Sequence, residues 1–84
     1  MIHILISVCI TSTEEGGENG KGKQCIFPFI YQNTRYEKCT TVDSHTPWCS
    51  TNVDKSYHHI EEAGYWGACL DNCTVEGKIT IHYL

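Results

Sequence analysis

The sequence predicts a small β domain that disulfides hold together. The chain has 84 residues and six cysteines, and a chain this short buries too little apolar surface to offset its conformational entropy comfortably. An even number of closely spaced cysteines indicates a disulfide framework in an oxidising compartment. The segments that favour regular structure are short and rich in β-formers. We therefore expect a secreted chain with two short antiparallel strand pairs and long loops, stapled by two or three disulfides.

The N-terminal part, residues 1–16, combines an apolar start with a polar stretch. Residues 1–10 resemble the hydrophobic region of a secretory signal, but the run is short and no Lys or Arg precedes it. Cleavage after Cys9 would leave an odd number of cysteines, which is unusual in a secreted protein. The count therefore favours keeping Cys9. The start is then a truncated signal or the beginning of a partial gene model, and both interpretations stay open. Residues 16–22 contain four glycines and are predicted to form a flexible leader.

The first predicted strand pair is a hairpin. Residues 29–31 and 35–37 favour β structure, and residues 32–34 between them suit a turn because Asn tolerates positive φ. We expect Tyr31 and Tyr36 to lie across this hairpin from each other.

The second predicted pair joins residues 48–51 to residues 65–68, and each strand carries a tryptophan. Residues 52–64 between them are predicted to be a loop. The alternative is a helical turn capped by Ser56 and ended by Gly64. The chain then ends in a tail, residues 74–84, predicted to be unpaired although residues 79–82 alternate like a strand.

The cysteines and aromatics follow a distinctive order. Its parts are Cys-Ile-Phe-Pro-Phe-Ile-Tyr at 25–31, Cys-Thr at 39–40, Pro-Trp-Cys-Ser-Thr at 47–51 and Tyr-Trp-Gly-Ala-Cys at 65–69. In this order the chain resembles the fibronectin type II module over residues 17–73. The resemblance implies a binding domain and is closest to an extended form of the module, which has an extra cysteine on each side.

Spacing alone permits 15 pairings of six cysteines, and the resemblance narrows them. The family pairs its first cysteine with its third and its second with its fourth, which implies Cys25–Cys49 and Cys39–Cys69. The extra flanking cysteines of the extended form imply a third bridge, Cys9–Cys73.

The aromatics have two roles open to them, since they can fill a core or line a cleft. We expect Phe27, Phe29 and Tyr36 to be structural. The resemblance places three others in an exposed aromatic pocket: Tyr31, Trp48 and Trp66. In the family this pocket takes collagen or gelatin segments in one branch and choline phospholipid headgroups in another. Stacked rings suit both an extended proline-rich strand and a quaternary ammonium.

One residue departs from the family pattern. The aromatic that usually precedes the last module cysteine is Ala68 here, so we expect one wall of the pocket to be thinner. Tyr65 and Tyr57 are the candidates to replace that wall.

Other kinds of site find little support. No Cys-x-x-Cys or spaced His pair suggests zinc, and bridged thiols cannot ligate a metal. The pairs His58–His59 and Glu61–Glu62 suit a solvated loop. Residues 43–45, Asp-Ser-His, hold the types of a hydrolase triad, but triad members converge from separate elements. We predict neither an enzyme nor a cofactor.

Charge and hydropathy exclude further classes. The net charge is −4 and the basic residues are scattered, which disfavours nucleic acid or other polyanionic partners. No apolar run approaches the length of about 20 residues that a membrane span needs. Asn72-Cys73-Thr74 fits the glycosylation sequon, so Asn72 is a candidate modification site.

These observations predict a secreted binding module, either a monomer or part of a larger chain. Its expected partner is an extracellular protein such as collagen or gelatin. The alternatives are a targeting module of a larger secreted protease or matrix enzyme, a binder of choline phospholipid at a membrane surface, and a disulfide scaffold without a ligand.

Overall fold

The computed structural model describes residues 8–77, and within them five short strands form two antiparallel sheets. Of these residues none is helical, so no helix among them is long and apolar enough to cross a membrane. The predicted fold class, a small disulfide-rich β domain, is confirmed. The strands are β1 (Thr11–Gly16), β2 (Phe29–Tyr31), β3 (Thr34–Tyr36), β4 (Trp48–Ser50) and β5 (Trp66–Cys69).

The two-stranded sheet is the predicted hairpin of β2 and β3. Gln32 and Asn33 connect the strands with left-handed φ values of 47° and 65°, as a two-residue hairpin turn requires. This turn sets Thr34 opposite Tyr31 and Tyr36 opposite Phe29. The expected pairing of Tyr31 with Tyr36 is therefore wrong, because the turn is shorter than that pairing needs.

The three-stranded sheet has the order β1-β5-β4, and β1 lies in a segment predicted to have no regular structure. Thr11 of β1 lies opposite Cys69, and Gly16 lies opposite Gly67 with a shift of register between the two. The polar sequence of β1 gives no strand pattern of its own. The neighbouring Cys9–Cys73 bridge ties the start of β1 to the segment that follows β5.

The glycine-rich leader is packed against β5, whereas its composition predicts a flexible segment. The Gly17 amide donates to the Trp66 carbonyl at 2.8 Å, and the Asn19 amide donates to the Gly64 carbonyl at 3.0 Å. A Cβ on Gly20 would overlap the Trp66 backbone. The glycines thus allow a close approach of two backbones. The predicted module limits, residues 17–73, stay a prediction.

Three disulfides run through the centre of the domain: Cys9–Cys73, Cys25–Cys49 and Cys39–Cys69. They are the three pairs that the family resemblance implies. Cys39 and Cys49 are fully buried, and the sulfurs of Cys9 and Cys25 lie 3.2 Å apart. Neighbouring bridges are therefore in contact and form one sulfur-rich layer.

Aromatic rings complete the core around Phe29, which is 0% exposed. Its ring centroid lies 5.4 Å from that of Tyr36, 5.3 Å from that of Trp48 and 6.1 Å from that of Phe27. Phe29 and Tyr36 are buried, and Phe27 packs against them half-buried, in agreement with the structural role expected for these residues. The core consists of rings and disulfides where a larger domain would use aliphatic side chains.

Residues 52–64 form a loop without a helical turn, as the favoured interpretation predicted. The loop is attached to β2 by two backbone hydrogen bonds of 2.8 Å. The Ile30 amide donates to the Tyr57 carbonyl, and the His59 amide donates to the Ile30 carbonyl. This attachment carries His59 to the edge of the aromatic core.

The start of the same loop is shaped by Asp54. Its carboxylate accepts hydrogen bonds from the amides of Ser56 at 2.8 Å and His58 at 3.0 Å. These bonds favour the ionised carboxylate, and the bond from His58 contributes most to lowering the pKa of Asp54. A side chain–backbone turn of this kind competes with a helix.

The first residues of the tail are paired, contrary to expectation. The Cys39 amide donates to the Thr74 carbonyl at 3.1 Å, and the Glu76 amide donates to the Cys39 carbonyl at 2.7 Å. The bridge at Cys73 brings this segment beside Cys39. The predicted strand-like stretch at 79–82 lies outside the described residues.

Candidate ligand-binding site

Three of the five predicted ligand-binding residues line one surface cavity. Tyr31 comes from β2, Trp48 from β4 and Trp66 from β5. The cavity has a volume of about 240 Å³, below the roughly 300–1,000 Å³ of small-molecule sites. It therefore has room for one or two side chains of a larger partner. The other lining residues are Val42, Asp43, Ser44, His59 and Glu61.

The sheet of β4 and β5 forms the floor of this cavity. Trp48 lies opposite Ala68, and Ser50 lies opposite Trp66. Side chains two apart on a strand share a face, so both tryptophans project from the same side of the sheet. The Trp48 indole N–H donates to the Val42 carbonyl at 2.8 Å, and the side chain is largely buried. Trp48 is thus fixed in place before any ligand arrives.

His59 provides a wall of the cavity. Its ring centroid lies 5.4 Å from that of Trp48 and 5.9 Å from that of Tyr31. The Tyr31 ring meets Trp48 edge-on at 5.2 Å. These edge-to-face contacts fix the orientations of the three rings, and Trp48 itself is only 6% exposed.

The residues suggested as substitutes for the missing aromatic lie elsewhere. Tyr65 and Tyr57 do not line the cavity. Tyr65 lies just before β5 and outside the cavity lining, and Tyr57 is 55% exposed in the loop. Ala68 is buried beside Trp48. Their predicted part in ligand binding stays a prediction that the geometry does not favour.

A hydrogen bond indicates the tautomer of His59, and burial determines its protonation state. The buried Ser50 hydroxyl donates its one proton to the Asn52 carbonyl at 2.7 Å. The Nδ1 atom of His59 lies 2.7 Å from the same hydroxyl oxygen, so we assign Nδ1 as the donor. Burial lowers the pKa of His59 below its usual value of 6.5. The imidazole is therefore neutral at pH 7.

The burial of His59 predicts a pH dependence of stability. The unfolded chain takes up the histidine proton near pH 6.5, whereas the folded domain does so only at lower pH. The free energy of unfolding should therefore be highest above pH 6.5, fall between that pH and the folded pKa, and level off below it. Denaturant titrations at closely spaced pH values measure this step.

His59→Gln is the matched control for this step, because an amide can still donate to Ser50 but does not titrate. The step should disappear in this variant. An equal step in both proteins would show that another group is responsible.

Two carboxylates give the cavity a negative charge. The Tyr31 hydroxyl donates to Oδ2 of Asp43 at 2.9 Å, and this bond is the main reason why the pKa of Tyr31 is raised above 10.0. Asp43 has a left-handed φ of 54°, a conformation that Asp tolerates well. Glu61 lines the cavity from the loop. No Lys or Arg is among the lining residues.

For several of these residues, the prediction from sequence differs from the position that the structure shows. His58 is exposed, as expected of a solvated loop, but His59 is half-buried in the site. In the Asp-Ser-His run, Asp43 and Ser44 line the cavity while the His45 side chain is 91% exposed beside Glu15. The three do not form a catalytic arrangement. The spacing of residues along the chain could not reveal that His59, Asp43 and Ser44 line the cavity. Their places depend on how two loops pack against the sheets.

The sulfur layer is the part of residues 8–77 that most resembles a metal site. The sulfurs of Cys9, Cys39, Cys69 and Cys73 lie within 4.8 Å of one another. All four belong to disulfides, and bridged sulfurs offer no thiolate to a metal.

Two larger cavities, of about 430 and 360 Å³, lie beside the Cys9–Cys73 bridge. Neither brings two aromatic rings together, since only Phe27 contributes a ring. Asn72 lines both and is exposed. The candidate site is therefore the smaller aromatic cavity.

Comparison with known proteins agrees with these features. Residues 25–69 match the model of the family described as the fibronectin type II domain, a range that holds the two inner disulfides and all the cavity-lining residues. No solved structure matches the chain.

Similar curated proteins are much longer than this chain. Dog (Canis lupus familiaris) matrix metalloproteinase-9 is 46% identical over 71% of this chain and 8% of its own length. Chicken (Gallus gallus) 72 kDa type IV collagenase is 32% identical over 73% of this chain and 9% of its own. The human (Homo sapiens) cation-independent mannose-6-phosphate receptor is 36% identical over 62% of this chain and 2% of its own. The chain thus spans less than a tenth of each of these relatives.

Proposed function

The chain belongs to the fibronectin type II family, and from that premise we propose that it is a secreted module that binds collagen- or gelatin-like segments in its aromatic cavity. The fibronectin type II domain is a binding module rather than a catalyst. The observation that carries the proposal is the meeting of Tyr31, Trp48 and Trp66, from three strands, around one cavity. One relative is by its name a collagenase, which supports collagen as the partner class.

The geometry of the cavity suits an extended, proline-rich polypeptide. Such a strand is already ordered as a polyproline helix and offers flat apolar faces to aromatic rings. The hydrogen bond from Trp48 to Val42 and the packing of Trp48 on Phe29 fix that ring in advance. A pre-organised ring loses little entropy on binding. The half-buried Trp66 supplies the accessible ring.

The place of the chain in a larger architecture is a further part of the proposal. Two relatives are by their names a metalloproteinase and a collagenase, and their similarity to this chain covers less than a tenth of their length. In such an enzyme the module would bring the catalytic domain to its substrate. Asn72 is exposed beside the Cys9–Cys73 bridge and stays a candidate site for N-glycosylation.

Gelatin affinity tests the proposed site. Trp66→Ala should weaken retention of the oxidised protein on immobilised gelatin by about tenfold or more, the loss typical of a central aromatic contact. Phe27→Ala, which removes a ring outside the cavity lining, is the control and should weaken retention less. Both variants are compared at equal fraction folded, and dissociation constants are measured at moderate salt.

Three outcomes would contradict this proposal. Equal losses in the two variants would place the contact outside the cavity. Release of the retained protein by free phosphorylcholine would support the lipid-headgroup alternative. Flow-through of the unaltered protein would remove gelatin as the partner and favour a scaffold without this ligand.

A further inference from the structure

We propose that the cavity selects a basic side chain, Lys or Arg, of its partner polypeptide, which it holds between its aromatic rings and the carboxylates of Asp43 and Glu61. This inference rests on the proposed function of the same cavity and specifies its ligand. The observation behind this inference is that the cavity has both aromatic walls and an excess of negative charge.

The aromatic walls attract cations. A Lys ammonium or an Arg guanidinium over the face of a Trp or Tyr ring is drawn to the electron-rich face. The edge-to-face packing of Tyr31 and His59 on Trp48 holds the rings in fixed orientations. The half-buried Trp66 adds a further accessible ring. An apolar ligand would use the same faces, so the rings alone do not decide between the two.

The carboxylates favour a cationic ligand over an apolar one. Asp43 is held in the lining by the 2.9 Å bond from Tyr31, and Glu61 lies in the same lining. Both charges act on Tyr31, whose pKa they help to raise. No Lys or Arg lies in the lining, and the neutral His59 leaves the two negative charges uncompensated. A cation entering the cavity therefore gains attraction from both acids.

The charge also distinguishes a polypeptide from a lipid headgroup. In a choline phospholipid the cation is joined to a phosphate, which the two carboxylates would repel. A Lys or Arg side chain reaches the cavity from an uncharged backbone. Arg and Lys therefore fit the cavity better than phosphocholine does.

Two matched peptides test the proposal. One is a proline-rich, collagen-like peptide with a single central Arg, and the other has citrulline at that position, which keeps the shape and removes the charge. The oxidised protein should bind the Arg peptide about tenfold more tightly, from about threefold for each carboxylate at partly screened contacts. This ratio should shrink as salt rises, because ions screen exposed charges.

The protein variants isolate the two carboxylates. In the double variant Asp43→Asn with Glu61→Gln the preference for Arg should fall towards one. Asn tolerates the left-handed φ at residue 43 and still accepts the hydrogen bond from Tyr31. The control is Asp71→Asn with Glu76→Gln, which changes net charge equally at exposed positions outside the cavity. It should keep the preference.

Each result bears on the proposal in a different way. Equal binding of both peptides together with retention on gelatin would overturn this inference and leave the proposed function standing. Loss of the Arg preference in the control variant would also overturn it, since the cause would then be overall charge. Failure to bind either peptide or gelatin would overturn both proposals. Binding to phosphatidylcholine vesicles without an Arg preference would assign the cavity to lipid headgroups.

Discussion

Replacing Cys9 and Cys73 together with alanine is expected to lower the free energy of unfolding by about 4 kcal/mol, while the domain stays folded. The bridge joins residues 64 apart, the longest of the three disulfide loops. In the chain-entropy model a cross-link of this span restricts the unfolded chain most, and the model gives about 4 kcal/mol. That is a large share of the roughly 5–15 kcal/mol of a stable domain.

The same bridge is expected to hold β1 on the sheet. The Cys25 amide donates to the Cys9 carbonyl at 2.9 Å and the Thr11 amide donates to the Lys23 carbonyl at 2.8 Å. Hydrogen exchange at these amides should accelerate in the double variant more than at β4. Guanidinium unfolding with the two inner bridges intact gives the stability change. A loss under about 1 kcal/mol would show that the bridge restricts the unfolded chain far less than its span implies.

Phe29→Ala is expected to cost about 3–5 kcal/mol, the range for an aromatic ring removed from a packed core. Phe29 is fully buried between the two sheets and touches Phe27, Tyr36 and Trp48. Removing the Phe29 ring would leave a cavity in the core. The disulfides would hinder the surrounding chain from closing it. Trp48 would also lose the ring on which it packs, so the ligand cavity should loosen together with the core.

The control for this prediction is Phe27→Ala, which removes the same ring from a half-buried position. Denaturant midpoints with all three bridges oxidised should fall much further for Phe29→Ala than for Phe27→Ala. Similar midpoints for the two variants would mean that the core does not centre on Phe29.

The sequence predicts those parts of this fold that short-range chemistry determines. The β2–β3 hairpin follows from Asn33 in its turn, and β4 and β5 follow from segments rich in aromatics. The register of the hairpin was wrong because the turn uses two residues. β1 could not be predicted, since its polar sequence has no strand pattern and its pairing with β5 joins segments far apart in the chain.

The residues of the candidate site also fall into a predicted group and a missed group. Tyr31, Trp48 and Trp66 were predicted from their places in a family motif, and the structure groups them. His59, Asp43 and Glu61 were missed as site residues because loops bring them there. The attachment of His59 to Ile30 is a backbone contact, which no side-chain pattern encodes.

The central claim is that this cavity is where the partner binds, and the two indole N–H resonances test it most directly. The chain contains two tryptophans, and both line the cavity. During titration with a soluble collagen-like peptide, the resonances of Trp66 and Trp48 should shift in a saturable way, together with the ring signals of His59. Saturable shifts confined to residues such as Leu70 and Asn72, with both indole signals unmoved, would place binding at the Cys9–Cys73 side of the domain and contradict the account.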